Sequence, residues 1–183
     1  MPTSLWHIQQ ASRVVRQGGV IAYPTEAVWG VGCDPANDAA IQRILELKSR
    51  PAHKGLVVVA ADLSQLNDWL LPLHDDDLAQ ITPTWPGPVS WVLPCKPEVS
   101  SLLRGQHDSL AVRISDHPLV RALCLEVGPL VSTSANPAGK EPARTPLRVR
   151  QYFRDQLDAI VPGQLGGNAQ PSQIRTLDGQ RLR

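Results

Sequence analysis

Residues 130–136 read Leu-Val-Ser-Thr-Ser-Ala-Asn, an apolar pair followed by three consecutive hydroxyls and, after Ala135, an amide. Leu130 and Val131 read as the buried end of a strand, and Asn136-Pro137 turns the chain. Alternation sets Ser132 and Ser134 on one side. Small hydroxyls where a strand leaves the core donate hydrogen bonds and leave turn amides open to an anion. A plain strand end with a Ser/Thr turn has the same composition. Lys48, Arg50 and Lys54 place three cations within seven residues, which suits a polyphosphate or a carboxylate. Lys and Arg also close many ordinary helices. Arg113 interrupts the apolar run 110–114, so it is an edge residue or a buried anion binder. With Thr25, the set becomes Thr25, Lys48, Arg50, Lys54, Arg113, Ser132, Ser134 and Asn136. Such groups act by positioning and charge stabilisation, without a covalent intermediate.

Other chemistries lack their residues. Gly139-Lys140 has neither the upstream glycine nor the following hydroxyl of a P-loop, and Gly30-Val31-Gly32 has no third glycine for a dinucleotide fingerprint. No Gly-x-Ser-x-Gly elbow occurs. His7, His53, His74, His107 and His117 are scattered, with no pair at metal-ligand spacing. Asp75-Asp76-Asp77 opens a helix, where the dipole already favours acids, so no protein metal site is expected. Cys33, Cys95 and Cys124 are too far apart for a disulfide framework and fit the reducing cytoplasm. No apolar run approaches the roughly 20 residues of a membrane span, and Met1-Pro2-Thr3-Ser4 does not begin a signal peptide. Net charge is +1, yet residues 140–183 carry 8 Lys/Arg against 4 Asp/Glu. That imbalance points to a local basic face, and a solvated helix with surface arginines produces the same count.

The elements that must position this set are short. Thr3 or Ser4 caps a helix with an apolar stripe of Leu5, Ile8, Ala11, Val14 and Val15, ended by Gly18-Gly19. A buried strand at 20–23 stops at Pro24, and residues 24–34 read as a glycine-containing loop. Asn37 or Asp38 caps a helix ending near Lys48 before Pro51. The unbroken apolar run 56–60 is a strand covered on both faces. Asp62 caps a short helix to about Leu70, and Asp75 begins another. Trp85-Pro86-Gly87-Pro88 turns into a strand at 89–93. A strand at 110–114 follows, then a helix capped by Ser115 or Asp116, with Pro118 in its first turn, to about Val127. Beyond a strand at 129–133, a helix at 147–153 and strands at 159–161 and 174–177 complete the chain. Helices alternating with strands predict an α/β fold: one domain, residues 1–183, with a twisted sheet of mixed parallel and antiparallel strands and flanking helices.

Six stretches in order resemble the YrdC-like family: Ala22-Tyr23-Pro24-Thr25-Glu26, Gly30-Val31-Gly32, Lys48-Ser49-Arg50-Pro51, Trp85-Pro86-Gly87-Pro88, Leu110-Ala111-Val112-Arg113 and Ser132-Thr133-Ser134-Ala135-Asn136. The resemblance runs from about residue 5 to the C-terminus. It implies a nucleotidyltransferase that joins L-threonine, bicarbonate and ATP into threonylcarbamoyl-AMP and pyrophosphate. Partner proteins would then transfer the threonylcarbamoyl group to a tRNA adenosine beside the anticodon. The family's Lys-x-Arg and Ser-x-Asn residues fall on Lys48, Arg50, Ser134 and Asn136, as the catalytic set. ATP contacts would fall on Arg50, Lys54, Ser109, Ser134, Asn136, Ala143 and Arg183, and threonine contacts on Thr25, Arg113, Ser132 and Ser172. Mg²⁺ would arrive with ATP. The chain departs from many longer relatives at Lys54-Gly55, where they have Asn-Pro, and at Val59, near which they have a histidine. The family's association with a concave basic face gives a competing expectation, a double-stranded RNA or tRNA binder without synthase activity.

Overall fold

The computed structural model describes residues 3–167, 170 and 172–182. The chain opens with α1 (Leu5–Arg16), where the Ser4 amide donates to His7 Nδ1 at 3.3 Å. Ile8, Ala11 and Val15 are buried, but Leu5, the first residue of the expected stripe, is 79% exposed: the stripe is covered only from Ile8 onward. After Gly18, in the left-handed region at φ 81°, β1 (Ile21–Pro24) pairs antiparallel with β2 (Trp29–Gly32).

The second strand corrects the sequence reading, which took 24–34 as loop. Its glycines are strand residues chosen for space. A Cβ on Gly32 would lie 2.1 Å from the Val131 carbonyl oxygen, so β2 and its neighbour could not stay so close. Gly32→Ala is therefore expected to destabilise the protein on the order of 3 kcal/mol, the upper range for overpacking a core. Urea denaturation, with unchanged slope and a lower midpoint, is the measurement.

The remaining elements are α2 (Asp38–Lys48), β3 (Val57–Ala60), α3 (Asp75–Ile81), β4 (Val89–Pro94), α4 (Ser101–Arg104), β5 (Ser109–Ile114), α5 (Pro118–Val127), β6 (Leu130–Ser134), α6 (Pro146–Phe153), β7 (Ala159–Ile160) and β8 (Gln173–Thr176). Asn37 caps α2, its side chain accepting from the Ala40 amide at 3.0 Å. Asp62 does accept from the Ser64 amide, yet the helix expected there is a single 3-10 turn, Leu63–Leu66. His117, and neither Ser115 nor Asp116, is the N-cap of α5. The Ser115 hydroxyl instead donates to Glu26 across the fold while accepting from the His117 amide, one residue before the helix.

The strands form one sheet in the order β7-β1-β2-β6-β3-β5-β4-β8. The β1/β7, β3/β5 and β4/β8 pairs are parallel and the others antiparallel, the mixed α/β sheet that the pattern predicts. Strand alternation divides the core. Val58 and Val112 pack with Ile41, Ile44 and Phe153 on one face, whereas Val59, Ile21 and Leu130 pack with Val15, Leu119 and Leu123 on the other. Helices α2 and α6 thus cover one side, and α1 and α5 the other. Each fully buried aliphatic side chain contributes about 1.5–3 kcal/mol. Among the described residues, no helix is long and apolar enough to cross a membrane.

Candidate functional site

The C-terminus of α2 meets the end of β6. Ser49 takes the left-handed conformation (φ 48°), which stops the helix and redirects the chain. The Arg50 amide closes back on the Leu45 carbonyl at 2.9 Å. Lys48 points inward: it is 4% exposed, and its ammonium donates to the Ser134 carbonyl and, at 2.7 Å, to the Asn136 carbonyl. The Lys48 carbonyl in turn accepts from the Ala138 amide at 2.8 Å. One residue thus fastens the Ser-Ala-Asn turn to α2 from both its ends. Burial, with the Arg50 charge adding to it, pushes the Lys48 ammonium down to about 8. Asn136 Nδ2 donates to the carbonyls of Pro137 (3.1 Å) and Lys140 (2.7 Å), leaving its buried Oδ1 without a partner.

Beside this turn lies a cavity of about 160 Å³, whose lining includes Thr25, Arg50, Arg113, Ser132, Ser134 and Ser172. Thr25 sits in the β1–β2 turn, its hydroxyl donating to the Val28 carbonyl at 2.8 Å. Gly30 opposite Ser134 leaves the cavity wall low where β2 meets β6. Arg113, in the register of Val59, is on a central strand and 5% exposed, which settles the edge-or-buried alternative in favour of burial. Its Nη1 lies 2.7 Å from Glu26 Oε1. The Ser115 hydroxyl donates to the same oxygen at 2.6 Å and accepts from the His117 amide at 3.2 Å. Burial alone would raise the Glu26 carboxyl, but the Arg113 charge and the bonds from Arg113 and Ser115 outweigh it and hold the group below its usual range. Arg113 Nε is buried without a partner.

A second cavity, about 190 Å³, adjoins the first, and Arg50, Leu56, Val57 and Ile174 line both. Lys54, Ser109, Arg104 and His107 also line it. Arg50 is shaped for this shared wall: its Nε and Nη2 donate to the Gly55 carbonyl at 3.2 and 2.9 Å.

The expected residues divide only in part. Thr25, Arg113, Ser132 and Ser172 line the first cavity together with Ser134 of the nucleotide set; Lys54 and Ser109 line the second, and Arg50 lines both. Lys48 and Asn136 line neither, Lys48 being turned onto the turn's carbonyls and the Asn136 amide onto those of Pro137 and Lys140. Ala143 is buried, its amide donating to Ala135 and its carbonyl accepting from Trp29, so only its backbone serves the turn. Arg183 lies outside the described residues. Sequence reading gave Glu26, Ser115 and His117 no place in the site. The available signal was one carboxylate in a Pro-Thr-Glu turn and one arginine in an apolar strand, each in need of a counter-charge once buried. Arg104 and His107 carried no such signal.

The model of the family of Sua5, YciO and YrdC proteins, described as telomere recombination, matches residues 13–183. The chain is 57% identical over 181 residues to a Pseudomonas aeruginosa protein named threonylcarbamoyl-AMP synthase, covering 98% of each. A Nitrosococcus oceani protein of the same name is 53% identical over 180 residues, with 97% of each covered. Among solved structures, P. abyssi Sua5 complexed with L-threonine superposes with a TM-score of 0.90 at 29% identity, over 97% of this chain and 54% of that one.

Proposed function

The chain belongs to the Sua5/YciO/YrdC family, and we propose that it carries out the reaction its bacterial relatives are named for, the synthesis of threonylcarbamoyl-AMP. It is a nucleotidyltransferase. The observation that carries the reading of its site is the pair of adjoining cavities that share Arg50. L-Threonine occupies the cavity of Thr25, Arg113, Ser132 and Ser172, with Arg113 on a carboxylate. ATP occupies the cavity of Lys54 and Ser109, its phosphates reaching Arg50, Ser134 and Asn136. Bicarbonate and the neutral threonine amine form a carbamate with loss of water; a carbamate oxygen attacks the α-phosphorus, and pyrophosphate leaves. Arg50 stabilises charge that grows on the phosphates, Ser134 and Asn136 orient them, and Lys48 holds both in place from behind.

Mg²⁺ comes with ATP and neutralises phosphate charge. The described residues include no group of three or more His, Cys, Asp or Glu side chains placed to hold an ion, so phosphate oxygens and water would ligate it. The work takes place in the cytoplasm, where proteins of tRNA modification receive the product, and residues 1–183 act as one YrdC-like domain. The competing reading, an RNA binder without synthase activity, draws on Arg144, Arg148, Arg150 and Arg154, exposed on and beside α6. It gives no use to the two cavities, and we place it second.

Pyrophosphate release from ATP and Mg²⁺, with threonine and bicarbonate omitted in turn, tests the reading. Release that needs both supports it. A folded protein that releases none under any combination removes the synthase assignment, and salt-sensitive RNA binding by that same protein would put the second reading first.

A further inference from the structure

The first cavity presents an arginine and a carboxylate together, and the carboxylate is the unusual one. Glu26 lines the cavity and is 6% exposed. Both side-chain donors that reach it, Arg113 Nη1 at 2.7 Å and Ser115 Oγ at 2.6 Å, meet the same oxygen, Oε1. Ser115 is fixed by the His117 amide, and the turn carrying Glu26 is fixed where the Gly166 amide donates to the Thr25 carbonyl at 3.0 Å. A site built only to capture a carboxylate gains nothing from an anion beside its arginine, because the internal acid competes for the guanidinium. An α-amino acid carries both signs on adjacent groups, a carboxylate and an ammonium.

We propose that Glu26 is a substrate-contacting specificity residue, its Oε2 taking the α-ammonium of the amino acid while Arg113 takes the carboxylate. The inference rests on the assignment of the first cavity to threonine. The Arg113–Glu26 pair is then a complement of the zwitterion, neutral when empty and matched at both ends when filled. Ser115 is a positioning residue: by occupying Oε1 with Arg113 it leaves the second oxygen turned to the substrate. The carboxyl is held below its usual range by Arg113 and Ser115 against the effect of burial, so it is an anion at neutral pH, where the substrate ammonium is charged.

The test is calorimetric titration of the full chain, with a non-hydrolysable ATP analogue present, by L-threonine and by 3-hydroxybutanoate, which lacks only the ammonium. The wild-type protein is expected to bind threonine at least tenfold more tightly than 3-hydroxybutanoate. In Glu26→Gln, threonine affinity falls tenfold or more, while 3-hydroxybutanoate affinity holds or rises as the competing anion disappears. Binding of the ATP analogue, unchanged, reports that the variant is folded. A merely structural role would lower both affinities together, and that result overturns the proposal. Equal wild-type affinities for the two acids overturn it without any variant. A wild-type protein that binds neither acid refutes the threonine assignment itself, and the inference falls with it.

Discussion

Arg113→Ala is expected to raise the threonine concentration needed for half-maximal turnover on the order of 100-fold, with nucleotide affinity retained. The loss follows from charge-assisted hydrogen bonds worth about 1.5–3 kcal/mol each. The same change reaches stability. Arg113 and Glu26 are both buried, and removing one partner of a buried pair costs about 3–5 kcal/mol, because the other charge is left without compensation. The pH dependence separates this effect from a simple cavity. In the wild type the Glu26 carboxyl is held below its usual range. Its stabilising contribution is present above the unfolded-state value and is lost as pH falls through the folded one. In the variant the Arg113 charge and bond are gone, and burial, the largest influence on the group, raises it against the bonds from Ser115 and from the Glu26 backbone. The folded variant then binds the extra proton, so its stability falls as pH rises through the glutamate range, about 4 and above. The gap between wild type and variant should widen from pH 4 to pH 7 in denaturation midpoints. A gap that stays constant across that range would mean that Arg113 contributes packing and no charge pairing.

The residues with local rules were legible in the sequence, and those with partners far away were not. The cap of α2 is legible to within one residue, Asn37 or Asp38, because capping depends on the next three residues, and the structure selects Asn37. The strand at 110–114 was placed by its alternation, and Arg113 stood out within it. The β2 strand is hidden because Gly30 and Gly32 carry a loop signal locally, and the reason for Gly32 is the Val131 carbonyl about a hundred residues on. Glu26 was lost for the same reason. Its partners Arg113 and Ser115 lie 87 and 89 residues downstream, and no spacing rule relates them. Local rules offer Ser115, with Asp116, only as a helix cap, whereas its hydroxyl donates to Glu26. Threonine and nucleotide contacts were carried by resemblance. That Thr25, Arg113, Ser132 and Ser172 share one cavity with Ser134 while Lys54 and Ser109 line another, with Arg50 in both, is a property of β6, β3 and β5 lying side by side, which no single motif contains.

Lys48→Ala is expected to lower the rate of pyrophosphate release on the order of 100-fold or more, as removal of a positioned electrostatic group does. The route differs from that of a phosphate contact. The ammonium sits behind the Ser134–Asn136 turn on two carbonyl oxygens, so its loss takes the Asn136 carbonyl's donor, at about 1–3 kcal/mol, and leaves the Ser134 carbonyl held only by the Asn136 amide. The turn relaxes, and Ser134 and Asn136 lose their aim together. Double variants with Ser134→Ala should consequently lose far less than the product of the single effects. Acidity gives an independent check. Lys48 is pushed down to about 8 by burial and by the nearby charge of Arg50. Between about 8 and the unfolded-state value near 10.4 the unfolded chain binds the extra proton, so folding stability rises with pH through that window. Turnover should move the other way. The neutral amine donates more weakly to the two carbonyls, and the rate should decline on the alkaline side near pH 8 while the fold tightens. Lys48→Arg, charged throughout, should lose part of the rate through its different shape but show no such decline. A wild-type rate that holds steady through pH 10 would show that the Lys48 charge is not what keeps the turn in place.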